Sequence, residues 1–362
     1  MLLQPIVCLG LLLVVATPRS SVVEKRYPDG SLRQKREVLI DERGMETDHG
    51  TSTKYYPNGK PSAETHYVKG VKEGAWTTWH SSGLKSGEGT YHKDEKTGLE
   101  TRYLPGGTKY LETNYLNGSR QGKQIQWFNE QQKTREANYD QGQLHGEVAE
   151  WYSNGKQKLL THYDHGTRHG VENLWHPNGE KQRESQFVHG QKDGPFLEWY
   201  PDGQQKLSVT YRAGVPEGLF TQWFANGNKT IEGQYRNGKP DGAWKQWHED
   251  ATPAADLAWK GGESEGTQVY YHPNGEKRVE VTFREGKREG PWTEYFDDGQ
   301  KRSAGKYLHD KPDGEVQAWY EDGKPSSSRT YLQGEKHGTW TEWSKEGKVV
   351  SQRKYNHGNL LE

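Results

Sequence analysis

Cysteine is nearly absent from this chain of 362 residues, Cys8 being the single one. One thiol cannot close an intramolecular disulfide or build a thiolate metal site. Aliphatic side chains are also scarce. Hydrophobic residues make up 30% of the sequence, against an ordinary apolar share of roughly 45–50%, a figure that also counts glycine. A compact core of this length cannot be filled from so few. Neither sign of charge prevails: 49 Lys and Arg stand against 50 Asp and Glu, interspersed. General attraction to nucleic acid or anionic lipid is therefore not expected. Long apolar runs are confined to the start, where Met1 to Ala16 hold a stretch of about 15 residues. That is shorter than the ~20 residues of a membrane span and suits a signal-peptide core, with Val14, Val15 and Ala16 as small residues at a cleavable site. Residues 1–20 are read as a signal peptide and the protein as exported, to the periplasm, the cell envelope or the medium. Membrane attachment is expected only if that segment stays uncleaved.

What the chain does have is 14 Trp, 21 Tyr and 44 Gly, too many rings for a disordered chain. Their spacing is regular. Gly50 and every 24th residue after it, through Gly338, is glycine, with no slip in phase. A fixed period of this length means stacked supersecondary units rather than one globular core. Counting each such glycine as position 0, position 9 is a second glycine in all units but two, where Gln131 and Ala251 replace it. It often follows Pro-Asn or Pro-Asp, as in Pro57-Asn58-Gly59 and Pro201-Asp202-Gly203. Pro presets φ, Asn or Asp tolerates the next position, and Gly closes a three-residue hairpin loop. Runs of about six residues with two-residue alternation flank the loop and read as strands. A second connection, with a glycine or Asp94 or Asp310 at position 20, is read as a wider turn.

The predicted fold is all-β, an elongated single-sheet solenoid or meander of about 13 antiparallel hairpins with a 24-residue period. Residues 21–49 are a degenerate first hairpin, five residues out of phase, and 50–362 the repeat array. Position 5 is always Trp or Tyr, and position 17 always Tyr, Phe or Trp. A three-residue loop followed by plain pairing puts positions 1, 3 and 5 on one face with 11, 13, 15 and 17. Both ring series would then form one ladder, with the glutamates of position 14 on the other, wet face. On that second face position 2 carries Trp76, Phe196, Phe220, Trp244, Trp292 and Trp340, the candidate binding surface, since exposed ring patches mark interaction sites.

These units, opening as Gly242-Ala-Trp-Lys-Gln-Trp-His and Gly290-Pro-Trp-Thr-Glu-Tyr-Phe, resemble the variant MORN repeat over about residues 50–360. The resemblance implies hairpin meanders that act as interaction scaffolds. Bacterial members are often described as antitoxin-like components of toxin–antitoxin systems. Ordinary MORN repeats are associated with membranes, phospholipid and protein partners. The antitoxin description fits poorly with an export-like start, because an antitoxin of that kind acts in the cytoplasm.

Chemistry-bearing groups give little sign of a reaction centre. Among 15 histidines, in-phase pairs in adjacent hairpins lie ~9.5 Å apart by strand spacing, too far to share one ion. His162, His165 and His169 are the tightest set in sequence, and no metal site is expected there. The position-14 carboxylates, such as Glu88, Glu136, Glu184, Glu232 and Glu280, have the separation of paired glycosidase acids, yet any repeat with a surface Glu has it too. No nucleophile elbow, phosphate loop or metalloprotease motif is found. The reading is a protein that is not an enzyme, binds no cofactor, and scaffolds a protein partner at the envelope or outside the cell. The alternatives are a glycan or cell-wall-binding module and the antitoxin component.

Overall fold

The computed structural model describes residues 17–361. The signal-peptide reading of residues 1–20 falls almost wholly outside them, and the first strand, Arg19–Arg26, begins just after. Every regular element among the described residues is a β-strand, and successive strands pair antiparallel as hairpins in an open sheet. The chain divides into two compact units: residues up to 156 with 163–166, and residues 157–162 with 167 onward. Each is a meander of the same hairpin.

Within that hairpin the first connection is the three-residue loop that the sequence predicts. In the first unit, Tyr56 N–H donates to Lys60 O at 2.8 Å and Gly59 N–H to Tyr56 O at 2.9 Å. Gly59 holds φ +79°, a conformation that glycine adopts without strain. Asn58 Oδ1 accepts Lys60 N–H at 3.1 Å, which fixes the turn from inside. The second connection is not the wider one. Val68 pairs with Val71, leaving only Lys69 and Gly70, both left-handed at φ +49° and +84°. Two such residues make a primed turn, whose twist matches that of the strands.

Two irregularities per repeat set the faces. Between strands Glu46–Tyr55 and Pro61–Val68, Tyr55 pairs with Pro61 but Lys54 pairs with Ala63, so Ser62 is an extra, unpaired residue. The same bulge recurs between Trp199 and Glu198 in the second unit. The other irregularity holds the recurring glycine, which takes a positive φ in every unit, from +66° at Gly338 to +118° at Gly194. This is the physical reason for its regular recurrence: the bulged chain needs a left-handed residue there.

The extra residue at position 12 overturns the expected face assignment. A one-residue shift sends a whole strand's side chains to the other face. Position 2 therefore lies opposite position 15, as Trp76 opposite Gly89 and Phe196 opposite Val209. The position-17 rings pack tilted or edge-on against the position-2 rings: Trp76 against Tyr91 at 6.1 Å, Phe196 against Tyr211 at 5.7 Å and Trp340 against Tyr355 at 5.1 Å between centroids. The position-5 rings occupy the opposite face, with the position-14 carboxylates. The two unfailing ring series are thus on opposite sides of the sheet, and the glutamates are not opposite both.

The core is a thin layer on the face of positions 2, 15 and 17. Thr113, Ala137, Ser185 and Val209 at position 15 are nearly inaccessible. In the first unit Ala137, Tyr139 and Val148 form a buried cluster, with Leu144 and Tyr163 against it. Where position 2 is polar it is satisfied: buried Gln268 donates to Ala258 O at 2.6 Å and accepts Ala258 N–H at 2.9 Å. Buried Glu172 meets Arg183 at 2.9 Å.

The out-of-phase segment proves to be a lengthened repeat. Arg26 pairs with Leu32 and Lys25 with Gln34, the same bulge as elsewhere. Val38 opposite Asp48 corresponds to Tyr67 opposite Lys72. The five additional residues lie beyond that pair, in a longer tip closed by Asp41 N–H to Met45 O at 3.1 Å.

Candidate interaction surface

The six rings expected to form an open binding surface are packed instead. Trp76, Phe196 and Trp244 retain 6%, 7% and 5% of their accessible surface, and Phe220, Trp292 and Trp340 are half-buried. Their faces are occupied by position-17 rings and by cations. A Lys or Arg two residues before the recurring glycine lies over the ring 19 residues later: Arg120 over Tyr139 at 4.0 Å, Lys192 over Tyr211 at 4.7 Å, Arg288 over Tyr307 at 4.2 Å. Lys192 also sits 3.9 Å from the Phe196 centroid. Burial among these rings lowers its pKa below the usual lysine value.

The opposite face is more open. Its Trp and Tyr at position 5 are half-buried in every unit from Trp79 to Trp343. Six of the strands that follow the three-residue loop bring a Lys at position 11 onto a Glu at position 14, among them Lys85 to Glu88 at 2.6 Å, Lys133 to Glu136 at 2.6 Å and Lys181 to Glu184 at 2.6 Å. Lys229 with Glu232 repeats it. Lys109 lies over Trp127 at 4.5 Å. At three of the position-5 tyrosines the hydroxyl donates to the carboxylate of the preceding repeat. Tyr103 reaches Glu88 at 2.5 Å, Tyr271 reaches Asp256 at 2.8 Å and Tyr295 reaches Glu280 at 2.7 Å. The bond to Glu88, then burial, pushes the Tyr103 hydroxyl up to about 12. Lys85 and then Tyr103 hold Glu88 below the usual carboxylate value. The glutamates expected on a wet face are paired with lysines there and share that face with the position-5 rings, a ring–lysine–carboxylate surface.

Two kinds of repeat-to-repeat clamp were not legible as such. At position 6 a Tyr or His reaches the backbone of the next hairpin: Tyr56 to Trp79 O at 2.7 Å, His176 Nε2 to Trp199 O at 3.0 Å, Tyr320 to Trp343 O at 2.6 Å. These clamps border grooves beside the three-residue turns. One, lined by Phe296, Arg302, Tyr320, Asp322 and Lys345, has about 520 Å³. Its counterpart at His176, Arg183, Tyr200 and Lys206 has about 210 Å³. The other clamp uses the residue just before the recurring glycine, whose side chain caps an N–H in the primed turn 20 residues on. Glu73 accepts from Lys93 at 2.9 Å, Glu217 from Asn237 at 2.7 Å and Asp313 from Gln333 at 3.0 Å. The recurrence of an acid at that position was the available signal.

Five stretches, residues 48–69, 216–237, 264–285, 312–333 and 336–357, match the family model described as the MORN repeat variant. No curated protein matches the chain. Among solved structures, the crystal structure of TcdB2-TccC3-Cdc42 aligns with 94% of this chain at 11% identity and a TM-score of 0.15. That of TcdB2-TccC3 without the hypervariable C-terminal region aligns likewise, at 11% and 0.14. The chain spans about 20% of the length of each, and similarity at such scores bears on no further point. Each matched stretch begins two residues before a recurring glycine and ends in the primed turn, so it frames one hairpin. Stretches of both units match the MORN-variant model, residues 48–69 in the first and the other four in the second.

Proposed function

We propose that this chain is a non-catalytic repeat scaffold that binds a protein partner on its ring–lysine–carboxylate face, at the cell envelope or outside the cell. MORN-variant repeats favour a scaffold. The observation that carries the choice of face is the half-buried Trp or Tyr in every repeat, joined on that face by Lys–Glu pairs in six of them. Rings flanked by both charges are the composition of a protein interface, an aromatic centre with a polar rim. A glycan reader needs free ring faces for sugar stacking. Here Lys109, Lys133 and Lys181 stand over Trp127 and Trp199.

The test is affinity capture from the native host with the full chain and with Lys181→Glu/Lys229→Glu/Lys277→Glu, which reverses charge on this face alone. A protein captured by the wild type, lost by the triple variant, and kept by Lys345→Glu at the turn edge supports the reading. Identical capture by all three, or retention on cell-wall polysaccharide with no protein, overturns it in favour of another face or of the glycan reader. Fractionation checks location: intact chain in the cytoplasm, residues 1–20 retained, would favour the antitoxin alternative.

A further inference from the structure

We infer that His145, Asp164 and His165 form a binding site for a divalent transition-metal ion, zinc being the reference ion. The site is a product of the repeat geometry. His145 is the residue before recurring Gly146, and His165 is the first residue of the primed turn 20 positions later, at φ +43°. Gly166 N–H donates to Leu144 O at 2.7 Å and folds the turn back over the bulge. In other repeats this same juxtaposition lets an acid cap the turn, as Glu73 does for Lys93 N–H. Here both positions are histidine, and the imidazole centroids come within 4.5 Å.

Three such His–His pairs exist, the others being His169–His189 at 6.0 Å and His337–His357 at 5.4 Å. The first is the closest, and carboxylates join it. Asp164 Oδ1 lies 2.7 Å from His165 Nδ1 and 3.4 Å from His145 Nδ1. Asp140 Oδ2 lies 3.5 Å from His165 Nε2. Candidate donor atoms of His145, Asp164 and His165 all lie within 4.8 Å of one another. Zinc bonds of ~2.0–2.2 Å in a tetrahedron place donors roughly 3.4 Å apart, so small rotations of these exposed side chains close the set. Two imidazoles and a carboxylate suit Zn²⁺, Ni²⁺ or Cu²⁺ and leave a position for water. Asp140 is placed to accept from the free ring nitrogen of His165, the usual second partner of a ligating histidine. Sequence spacing hid the site, because it compares like positions in neighbouring units, whereas this pair joins two different positions.

The experiment is calorimetric titration of the metal-stripped full chain with zinc chloride, alongside His145→Gln/His165→Gln and, as control, His169→Gln/His189→Gln. The expected result is one zinc per chain at micromolar affinity, weakened tenfold or more in the first variant and unchanged in the control. Copper(II) should show nitrogen hyperfine coupling in its paramagnetic resonance spectrum that the first variant loses. Circular dichroism confirms that both variants keep the sheet. No zinc uptake by the wild type, or equal uptake by the wild type and the His145/His165 variant, overturns the site.

Discussion

Replacing Gly233 by alanine adds one methyl group to a place already taken. An ideal Cβ there would stand 2.0 Å from Trp244 Cδ2 and 2.3 Å from Cε2, where carbon–carbon contact is normally ~3.5–4.0 Å. The backbone is not the obstacle, since the φ of Gly233 lies outside the left-handed region, and alanine alone would stabilise by ~0.4–1 kcal/mol through the unfolded chain. Nor can the indole yield easily. Trp244 is buried, stacked on Phe220 at 5.7 Å and edge-on to Tyr235 at 5.0 Å. Its Nε1–H donates to Gln234 O at 3.2 Å. Overpacking of a tight site costs ~1–3 kcal/mol, and a ring with so little room belongs at the upper end, so about 2 kcal/mol net is expected. Repeat arrays open locally, so the readout is amide hydrogen exchange of peptides covering 229–247. Protection there should fall roughly thirty-fold, at 1.4 kcal/mol per factor of ten, while peptides covering 71–92 stay unchanged. Trp244→Leu in the same chain should make the second change less than additive, because the contact is then already gone. If Gly233→Ala raises protection, or the two changes add, the packed face is not where position 2 meets position 15.

Ala251 takes the left-handed place of the loop glycine at φ +67°, so Ala251→Gly should stabilise that hairpin by about 1 kcal/mol, measured by exchange at 247–253. Tyr103 should resist ionisation until about pH 12 in absorbance titration. Its folded pKa exceeds the unfolded value of ~10, so the unfolded chain loses the proton first and stability falls as pH rises from ~10 to ~12; Tyr103→Phe should lessen that slope, to which Tyr271 also contributes, and an unaltered slope would refute the Glu88 bond. Glu172 is buried between Arg183 at 2.9 Å and Arg168 at 3.5 Å. Glu172→Ala should therefore cost about 3 kcal/mol locally, and Glu172→Phe, which restores a ring at position 2, should cost less; equal losses would count against a ring-lined core.

Much of the hairpin was legible. Pro57-Asn58-Gly59 named its own loop, and the structure keeps it residue for residue. The small side chains of position 15, such as Gly89 and Ser185, leave room for the rings of position 2. What misled was Ser62 and its equivalents, since nothing in their chemistry distinguishes a bulged residue from a paired one. The second turn misled for another reason. Lys69, Asn117, His165 and Glu285 all adopt φ between +43° and +49°, and only the glycine after them, or Asp94 and Asp310, hints at it. Aspartate works at that place because its side chain caps the backbone: Asp94 Oδ1 accepts Lys72 N–H and Asp310 Oδ1 accepts Arg288 N–H, both at 2.9 Å.

The amino-acid pattern alone determined the period, the hairpin, the antiparallel meander and the loop chemistry, because each depends on residues within about two dozen of one another. The tertiary structure decided which rings share a face, which lysines cover them, and that His145 meets His165. Those outcomes turn on one unpaired residue per hairpin and on a turn folding back over its predecessor, and a side-chain period of two amplifies so small a shift into a change of face.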